Sequence, residues 1–384
     1  MIESNFTQDI SALKKLPNSW SVIDFGEVFK DISGGNKKFL KSDFLVEGKV
    51  AVVDQGKDLI AGYTNEDDEV VKGQPPYIVF GDHTRIFKFI DFPFVMGADG
   101  TKVFKVKDIT INDEKYLFHF LNSLNIPNTG YNRHFKYLKS TKIPFPPLPQ
   151  QQKIANILDA ADALRQNDKA LIAKYDELTQ ALFLDMFGDP VSNPKGWEKV
   201  ELKKLCSFKK KNIKPEDIEE GENYVALDSI EKVTGNITTI YNVEKGELKS
   251  NKFWFNNSYI LYGKLRPYLN KVALPNFEGV CSTDIIPIQP INTKSNKLFV
   301  TSILRHNSFV AFADERSSGA NLPRISPTEV EKYSTINPPL DLQNQFAERV
   351  AVIEEQKAIA QKSLEQSESL FNSLLQKAFK AELV

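Results

Sequence analysis

The sequence predicts an α+β protein with a pseudo-two-fold internal repeat: two mixed α/β domains joined by two long helices that pair antiparallel as a coiled coil. Three observations carry that prediction. Pro146-Pro147-Leu148 recurs as Pro338-Pro339-Leu340, 192 positions on, and the same spacing runs without a gap through the segment that follows, so that Ile154 meets Phe346, Leu158 meets Val350 and Phe187 meets Phe379. Short aromatic and β-branched runs recur upstream, in the same order in each half. Both post-proline segments space their apolar residues in alternating steps of three and four.

Each half opens on a turn and a tryptophan, Leu16-Pro-Asn-Ser-Trp20 and Asn193-Pro-Lys-Gly-Trp197, 177 apart; Ile23, Phe25 and Val28 then align with Val200, Leu202 and Leu205. Tyr77-Ile-Val-Phe-Gly81 matches Tyr259-Ile-Leu-Tyr-Gly263 at a spacing of 182, and the alignment continues through Pro93/Pro275, Gly97/Gly279, Thr101/Thr283 and Val106/Ile288. Gly130-Tyr-Asn132 faces Gly319-Ala-Asn321 at 189. Strands are expected at 49–53, 77–80 and 102–106, and at 224–227, 259–262 and 284–289; helices are expected at 114–123 and 297–312. The climb from 177 to 192 means about 15 extra residues in the second copy, placed between shared blocks, where loops vary and binding residues concentrate.

After the first hinge, Ile154, Ile157, Ala161, Leu164, Leu171, Tyr175, Leu178 and Leu182 form an expected a/d seam, broken by Asp168. The second segment gives Phe346, Val350, Ile353, Ala360, Leu364, Phe371, Leu374 and Ala378, interrupted by Lys357 and Ser367. Prolines at 144, 146, 147, 149, 338 and 339 set where each helix starts. The expected division is 1–148 and 189–339 for the globular domains, with helices in 149–188 and 340–384. Each seam is the natural partner of the other, although two independent bundle helices packed on their own domains would also satisfy the pattern. Asp168 either fixes register or lies at a seam edge. A helix of about 38 residues spans about 57 Å, the length of roughly 17 base pairs of B-DNA.

A net charge of −1, from 49 Lys and Arg against 50 Asp and Glu, makes the molecule as a whole no magnet for nucleic acid, so any basic surface is local. The sequence shows no basic-then-apolar leader and no apolar window of membrane-spanning length, which points to a cytoplasmic location. Two cysteines, Cys206 and Cys281, are too few for a disulfide framework or a thiolate zinc site and read as packing residues.

Signs of catalysis are weak. Gln74-Pro-Pro-Tyr77 and Asn337-Pro-Pro-Leu340 each lack one element of the Asn/Asp-Pro-Pro-aromatic box of amino methyltransferases, and no Gly-rich turn for S-adenosylmethionine precedes them. Asp43, Glu47 and Lys49 crowd too closely for a metal-dependent nuclease, and there is no phosphate-binding loop for ATP. The four histidines have no metal-ligand spacing, so neither a catalytic residue nor a metal is expected.

Local basic and amide-rich loops recur instead, at equivalent places in both halves. In the first they offer His83, Thr84, Arg85, Asn128, Tyr131, Asn132 and Arg133; in the second, Lys209, Lys210, Lys211, Lys264, Arg266, Asn270, Ser318, Asn321 and Arg324. Arg and Asn can bond guanine and adenine edges in a bidentate way, while Lys and Ser suit phosphates. These residues are the DNA-binding candidates.

The tryptophan-led start, the Tyr-Ile-Val-Phe-Gly block, the Gly-x-Asn segment and Ile143-Pro-Phe-Pro-Pro-Leu-Pro-Gln-Gln-Gln-Lys-Ile-Ala-Asn-Ile-Leu158, all repeated up to Asn337-Pro-Pro-Leu-Asp-Leu-Gln-Asn-Gln-Phe-Ala347, resemble the specificity subunit of type I restriction-modification systems. Asp-Met-Phe-Gly-Asp-Pro190 resembles it too, and the likeness covers essentially the whole chain. The resemblance implies a non-catalytic DNA reader whose halves are target recognition domains, each for one part of a bipartite, asymmetric site, with the helices setting the unread spacer. It further implies two methyltransferase subunits docked on the helices and restriction subunits for translocation and cleavage, with S-adenosylmethionine, ATP and Mg on those partners and no cofactor on this chain. Asp341-Leu-Gln343 replaces Pro149-Gln-Gln151 in the second hinge, which puts the start of the second helix in doubt. Two other classes stay open: a coiled-coil scaffold without a DNA role, and a methyltransferase or nuclease in its own right.

Overall fold

The computed structural model describes residues 16–130 and 132–383. It divides into two compact units, Met1–Lys169 with Gln361–Val384, and Ala170–Ala360, so that each unit holds a globular part and a stretch of both long helices.

In unit 1 the chain passes through β1 (Ser21–Asp24), α1 (Phe25–Val28), β2 (Phe29–Asp31), β3 (Lys38–Phe39), β4 (Val50–Val53), β5 (Gly62–Thr64), β6 (Tyr77–Gly81), β7 (Phe87–Ile90), β8 (Phe94–Gly97) and β9 (Thr101–Val106). The helices α2 (Glu114–Ser123) and α3 (Phe135–Lys139), strand β10 (Lys142–Phe145) and the first long helix α4 (Leu148–Phe187) follow. Two four-stranded sheets, ordered β2-β9-β6-β7 and β3-β8-β4-β5, enclose Val53, Tyr77, Val79, Phe94, Met96 and Val103. The outer face of the first sheet meets α2 and α4 through Phe80, Phe104, Tyr116, Leu117, Ile154 and Leu158, all fully buried. Burial of each such side chain contributes roughly 1.5–3 kcal/mol.

Unit 2 repeats this order. It contains β11 (Lys199–Glu201), β12 (Cys206–Ser207), β13 (Asn212–Ile213), β14 (Glu222–Val225), β15 (Tyr241–Val243), β16 (Lys252–Phe255), β17 (Ile260–Gly263), β18 (Val272–Ala273), β19 (Gly279–Cys281) and β20 (Ile285–Pro290). Helices α5 (Lys297–Arg305), α6 (Asn307–Glu315) and α7 (Pro327–Glu331), strand β21 (Ser334–Ile336) and the second long helix α8 (Leu340–Ala378) complete it. Its sheets run β12-β20-β17-β18 and β13-β16-β19-β14-β15. Strand β16 has no counterpart among the described residues of unit 1 and accounts for part of the extra length. The single helix expected over 297–312 is two, because His306 between them is extended and caps the second through Ser308.

Pairing register corrects one part of the repeat. Gly81 stands opposite Thr101 and Gly263 opposite Ile285, so the structural equivalent of Thr101 is Ile285, two positions beyond Thr283. The hinge strands agree with the sequence: Ile23 pairs Ile143, and Val200 pairs Thr335. At each helix start a fully buried glutamine closes the hinge. Gln151 accepts from the Asp113 N–H at 2.8 Å and donates to the Pro146 and Ile111 carbonyls; Gln343 accepts from the Asn296 N–H at 2.9 Å and donates to the Pro338 carbonyl. The second hinge therefore starts its helix as the first does, despite Asp341.

Within each unit the long helices run antiparallel. In unit 1 Arg165 lies over the Phe371 ring at 4.4 Å while Asp168 accepts from Ser363 and Ser367 at 3.0 and 2.8 Å. In unit 2 Lys357 bonds Asp176 at 2.5 Å and Phe183 packs on Phe346. The seam on α8 follows the expected positions, from Phe346 and Val350 through Ile353, Leu364, Phe371 and Leu374, with Lys357 and Ser367 inside it. On α4, Ile154, Ala161 and Tyr175 keep their inward place, and Ile157 and Leu182 are half-buried. Leu164, Leu171 and Leu178 do not belong to the seam: they are 53%, 42% and 49% exposed. Leu158, Arg165, Asp168, Ile172, Asp176 and Thr179 take the inward positions instead; Asp168 and Asp176 are satisfied by polar partners on α8, and Thr179 bonds the Tyr175 carbonyl of its own helix. Among the described residues no helix is long and apolar enough to cross a membrane.

Candidate nucleic-acid interface

In each unit four loops converge at one end of the paired sheets. Unit 1 brings together residues 54–60 after β4, the 81–86 turn after β6, residues 97–101 between β8 and β9, and 128–130 with 132–134 before α3. The Asp82 N–H donates to the Gly100 carbonyl at 2.7 Å, and the His134 N–H donates to the Asp82 carbonyl at 2.9 Å. Unit 2 makes the same two bonds with other residues: Lys264 N–H to the Asp284 carbonyl at 2.9 Å, and Ile325 N–H to the Lys264 carbonyl at 3.1 Å. Buried or half-buried lysines hold the neighbouring loops, Lys88 on the Asp54 carbonyl and Lys271 on the Leu227 carbonyl, both at 2.8 Å. Burial lowers the pKa of both, against the pull of Asp54 and Asp228 respectively.

Close packing makes these loops rigid. A Cβ at Gly81 would stand 2.0 Å from the Thr84 hydroxyl, and one at Gly100, whose φ is +83°, would meet the Gln55 amide and the His83 ring at 2.7 Å. Thr84 donates to the Gln55 carbonyl at 2.6 Å, and a His83 ring nitrogen lies 3.2 Å from the Asn132 carbonyl. The candidates His83, Thr84, Arg85, Asn128, Asn132 and Arg133 are thus gathered at one place; Tyr131 lies outside the described residues.

The gathered residues differ in what they can offer a ligand. Arg85 adopts a left-handed φ of 66° and spends its guanidinium on the Ile126 carbonyl at 3.1 Å, which makes it a strut. Asn128 accepts from the Gly130 N–H, Asn132 donates to the Thr129 carbonyl, and both are exposed, as is Arg133.

In unit 2 Arg324 grips the Asp284 carboxylate through Nε at 2.9 Å and Nη2 at 3.2 Å. That bond holds the Asp284 carboxyl below the usual carboxylate range and raises the Arg324 pKa. Asn270 gives its amide to the Arg305 carbonyl at 3.0 Å. Arg266, Ser318 and Asn321 are exposed on the same loops. Lys210 and Lys211 lie over the Phe253 and Trp254 rings at 4.8 and 4.7 Å, and Lys209 is exposed. Burial, helped by the nearby Lys264 charge, lowers the Lys210 pKa, and Lys264 in turn lies 3.9 Å from the Asp284 carboxylate.

Gln55, Lys88, Lys271 and Asp284 also fix the loops and are not among the candidates the sequence offers. A lysine inside the aromatic run Phe87-Lys88-Phe89 was the available signal, because a charge there needs a buried acceptor. Neither Pro-Pro box is built to hold a base: the Tyr77 ring is 1% exposed with its hydroxyl on the Val71 carbonyl, and Pro338 is part of the glutamine-closed hinge. Among the described residues no group of His, Cys, Asp or Glu could hold a metal. Burial pushes the Cys206 thiol up to about 12 and raises Cys281 further, as packing residues require.

Residues 17–174 and 194–368 match the model of the type I restriction modification DNA specificity domain. The chain belongs to that family. Two matched regions agree with the repeat of this type I specificity subunit, whose globular parts are its target recognition domains. It is 29% identical over 199 residues to the EcoDI specificity subunit of Escherichia coli, covering 50% of this chain and 43% of that protein. To the EcoR124I/EcoR124II specificity subunit of the same organism it is 27% identical over 169 residues, 41% of this chain and 42% of that one. The matches thus span less than half the length of these curated relatives. The fold is also that of the S subunit of a type I restriction-modification system from M. genitalium, with a TM-score of 0.53 at 17% identity over 95% of this chain and 98% of that one.

Proposed function

We propose that this specificity subunit reads a bipartite, asymmetric DNA sequence without itself catalysing a reaction, each target recognition domain contacting one half-site. The observation that carries this reading is the shared loop scaffold with unlike side chains. The same two backbone bonds are made by Asp82, Gly100 and His134 in one unit and by Lys264, Asp284 and Ile325 in the other. Equal scaffolds with different donors suit two different half-sites, because base edges are told apart by donor and acceptor pattern.

The paired helices set the unread spacer and dock two methyltransferase subunits. The outward Leu164, Leu171 and Leu178, one heptad apart on α4, supply an apolar face for such docking. S-adenosylmethionine chemistry then belongs to those partners, and ATP and Mg to restriction subunits that join them. Of the candidates, Asn128, Asn132, Arg133, Arg266, Ser318 and Asn321 are the base and phosphate contacts, and Lys209, Lys210, Lys211 and Lys264 add phosphate attraction. Domain exchange tests the reading: replacing residues 17–145 with the matching domain of another family member changes one half-site of the methylated motif. Change in both half-sites, or in neither, refutes it.

A further inference from the structure

We propose that Tyr268 is a specificity-determining residue of unit 2, its ring laid against a base pair of the half-site that this unit reads; the assignment rests on the DNA-reading role proposed above. The turn after β6 closes with the Gly81 N–H on the Ile86 carbonyl at 2.9 Å, and the turn after β17 closes with the Gly263 N–H on the Lys271 carbonyl at 2.8 Å. The second turn is three residues longer than the first. Its length is taken up by the helical turn Pro267–Leu269, in which Pro267 is buried, Leu269 is half-buried and Tyr268 is 51% exposed.

This turn is held stiffly. Arg266 and Asn270 flank it at φ of 52° and 48°, a left-handed conformation that non-glycine residues rarely adopt and that tends to persist where function requires it. The Arg266 N–H donates to the Pro323 carbonyl at 2.7 Å, the Val233 N–H donates to the Leu269 carbonyl at 3.2 Å, and the Asn270 side chain donates to the Arg305 carbonyl at 3.0 Å. A ring carried on such a platform loses little freedom on binding.

Among the described residues only Tyr241 and Tyr268 are exposed aromatics. Tyr241 rests against Tyr224, with ring centroids 6.2 Å apart, whereas among the described residues Tyr268 packs on no other ring. Its neighbours on the same loop are exposed Arg266, a cation that attracts a polyanion, and Lys264, which lies 3.9 Å from the Asp284 carboxylate. Aromatic and apolar groups on a groove-facing loop discriminate through the thymine methyl or by wedging at a base step. Unit 1 carries Asp82-His83-Thr84-Arg85 at the corresponding turn, with no Phe, Tyr or Trp, so the effect belongs to one half-site alone.

The test assembles the full chain with its methyltransferase subunits and measures methylation rates on duplexes carrying every single base change in the wild-type motif. Tyr268→Ala and, as a second variant, Tyr268→Ser are expected to relax discrimination about tenfold at one or two adjacent positions of one half-site. Tyr268→Phe is expected to stay within about threefold of wild type. Unchanged discrimination in both the Ala and Ser variants, with wild type still showing a bipartite motif, overturns the role of Tyr268 and leaves the wider reading standing. Loss spread over both half-sites overturns it as well. A wild-type complex without any bipartite motif overturns the reading and this assignment together.

Discussion

Gln151 and Gln343 make the same buried hydrogen bonds in the two units, each accepting from the first N–H of a capping turn and donating to a proline carbonyl of its hinge. Both are fully buried, so truncation leaves a backbone donor and a carbonyl without partners. Gln151→Ala and Gln343→Ala should each destabilise their own unit by about 1–3 kcal/mol, read from denaturant midpoints. A loss below about 0.5 kcal/mol would mean that water replaces the glutamine without penalty.

The polar steps in the helix seam offer a second test. Lys357→Leu alone should cost about 1 kcal/mol, a modest figure because the Asp176 partner is 41% exposed. Lys357→Leu combined with Asp176→Leu should recover that loss or exceed it, since well-packed apolar pairs often match ion pairs. Thermal melts of the three variants decide it; additive losses in the double variant would contradict the pairing.

Strut and reader arginines should separate. Arg85→Ala and Arg324→Ala should lower the melting temperature, because they free the Ile126 carbonyl and the Asp284 carboxylate. Arg133→Ala and Arg266→Ala should leave it unchanged and reduce the salt dependence of DNA binding by about one counterion each. Fluorescence anisotropy of the assembled complex across a salt series gives the slopes, and identical behaviour in all four variants would remove the distinction.

Burial of His119, 3% exposed on α2, lowers its pKa despite the Asp159 carboxylate at 2.8 Å, with Asp162 also raising it and Lys115 helping to lower it. The unfolded chain then binds more protons than the folded one just below the ordinary histidine value of 6.5, so stability falls as pH drops through that window and recovers above it. His119→Gln should flatten this part of the profile, measured as melting temperature from about pH 7.5 to about pH 5.5. A wild-type profile that rises toward acid would show instead that the Asp159 pair dominates.

Much of the fold was legible because local pattern and tertiary role coincide. The α2 limits of 114 and 123 and the strand blocks at Tyr77 and Tyr259 were readable from period and punctuation. The α8 seam was readable too, from Phe346 through Leu374, although Val352, Ile359 and Leu370 lie exposed off it. The α4 seam was misphased at Leu164, Leu171 and Leu178 because those leucines imitate a seam, while the inward face carries Arg165, Asp168 and Asp176, whose partners lie far away in sequence. At the candidate interface the sequence located the loops but could not separate struts from readers. Arg85 and Arg133 are alike as letters, and only the Ile126 carbonyl tells them apart.

The most direct test maps methylated adenines genome-wide for the assembled complex, alongside a variant with one heptad inserted after Leu171 and a matching one after Gln361. Wild type should yield two unlike half-sites separated by a fixed unread gap, and the variant the same half-sites with a longer gap. A continuous motif, methylation in every adenine context, or half-sites that change with helix length would contradict the account.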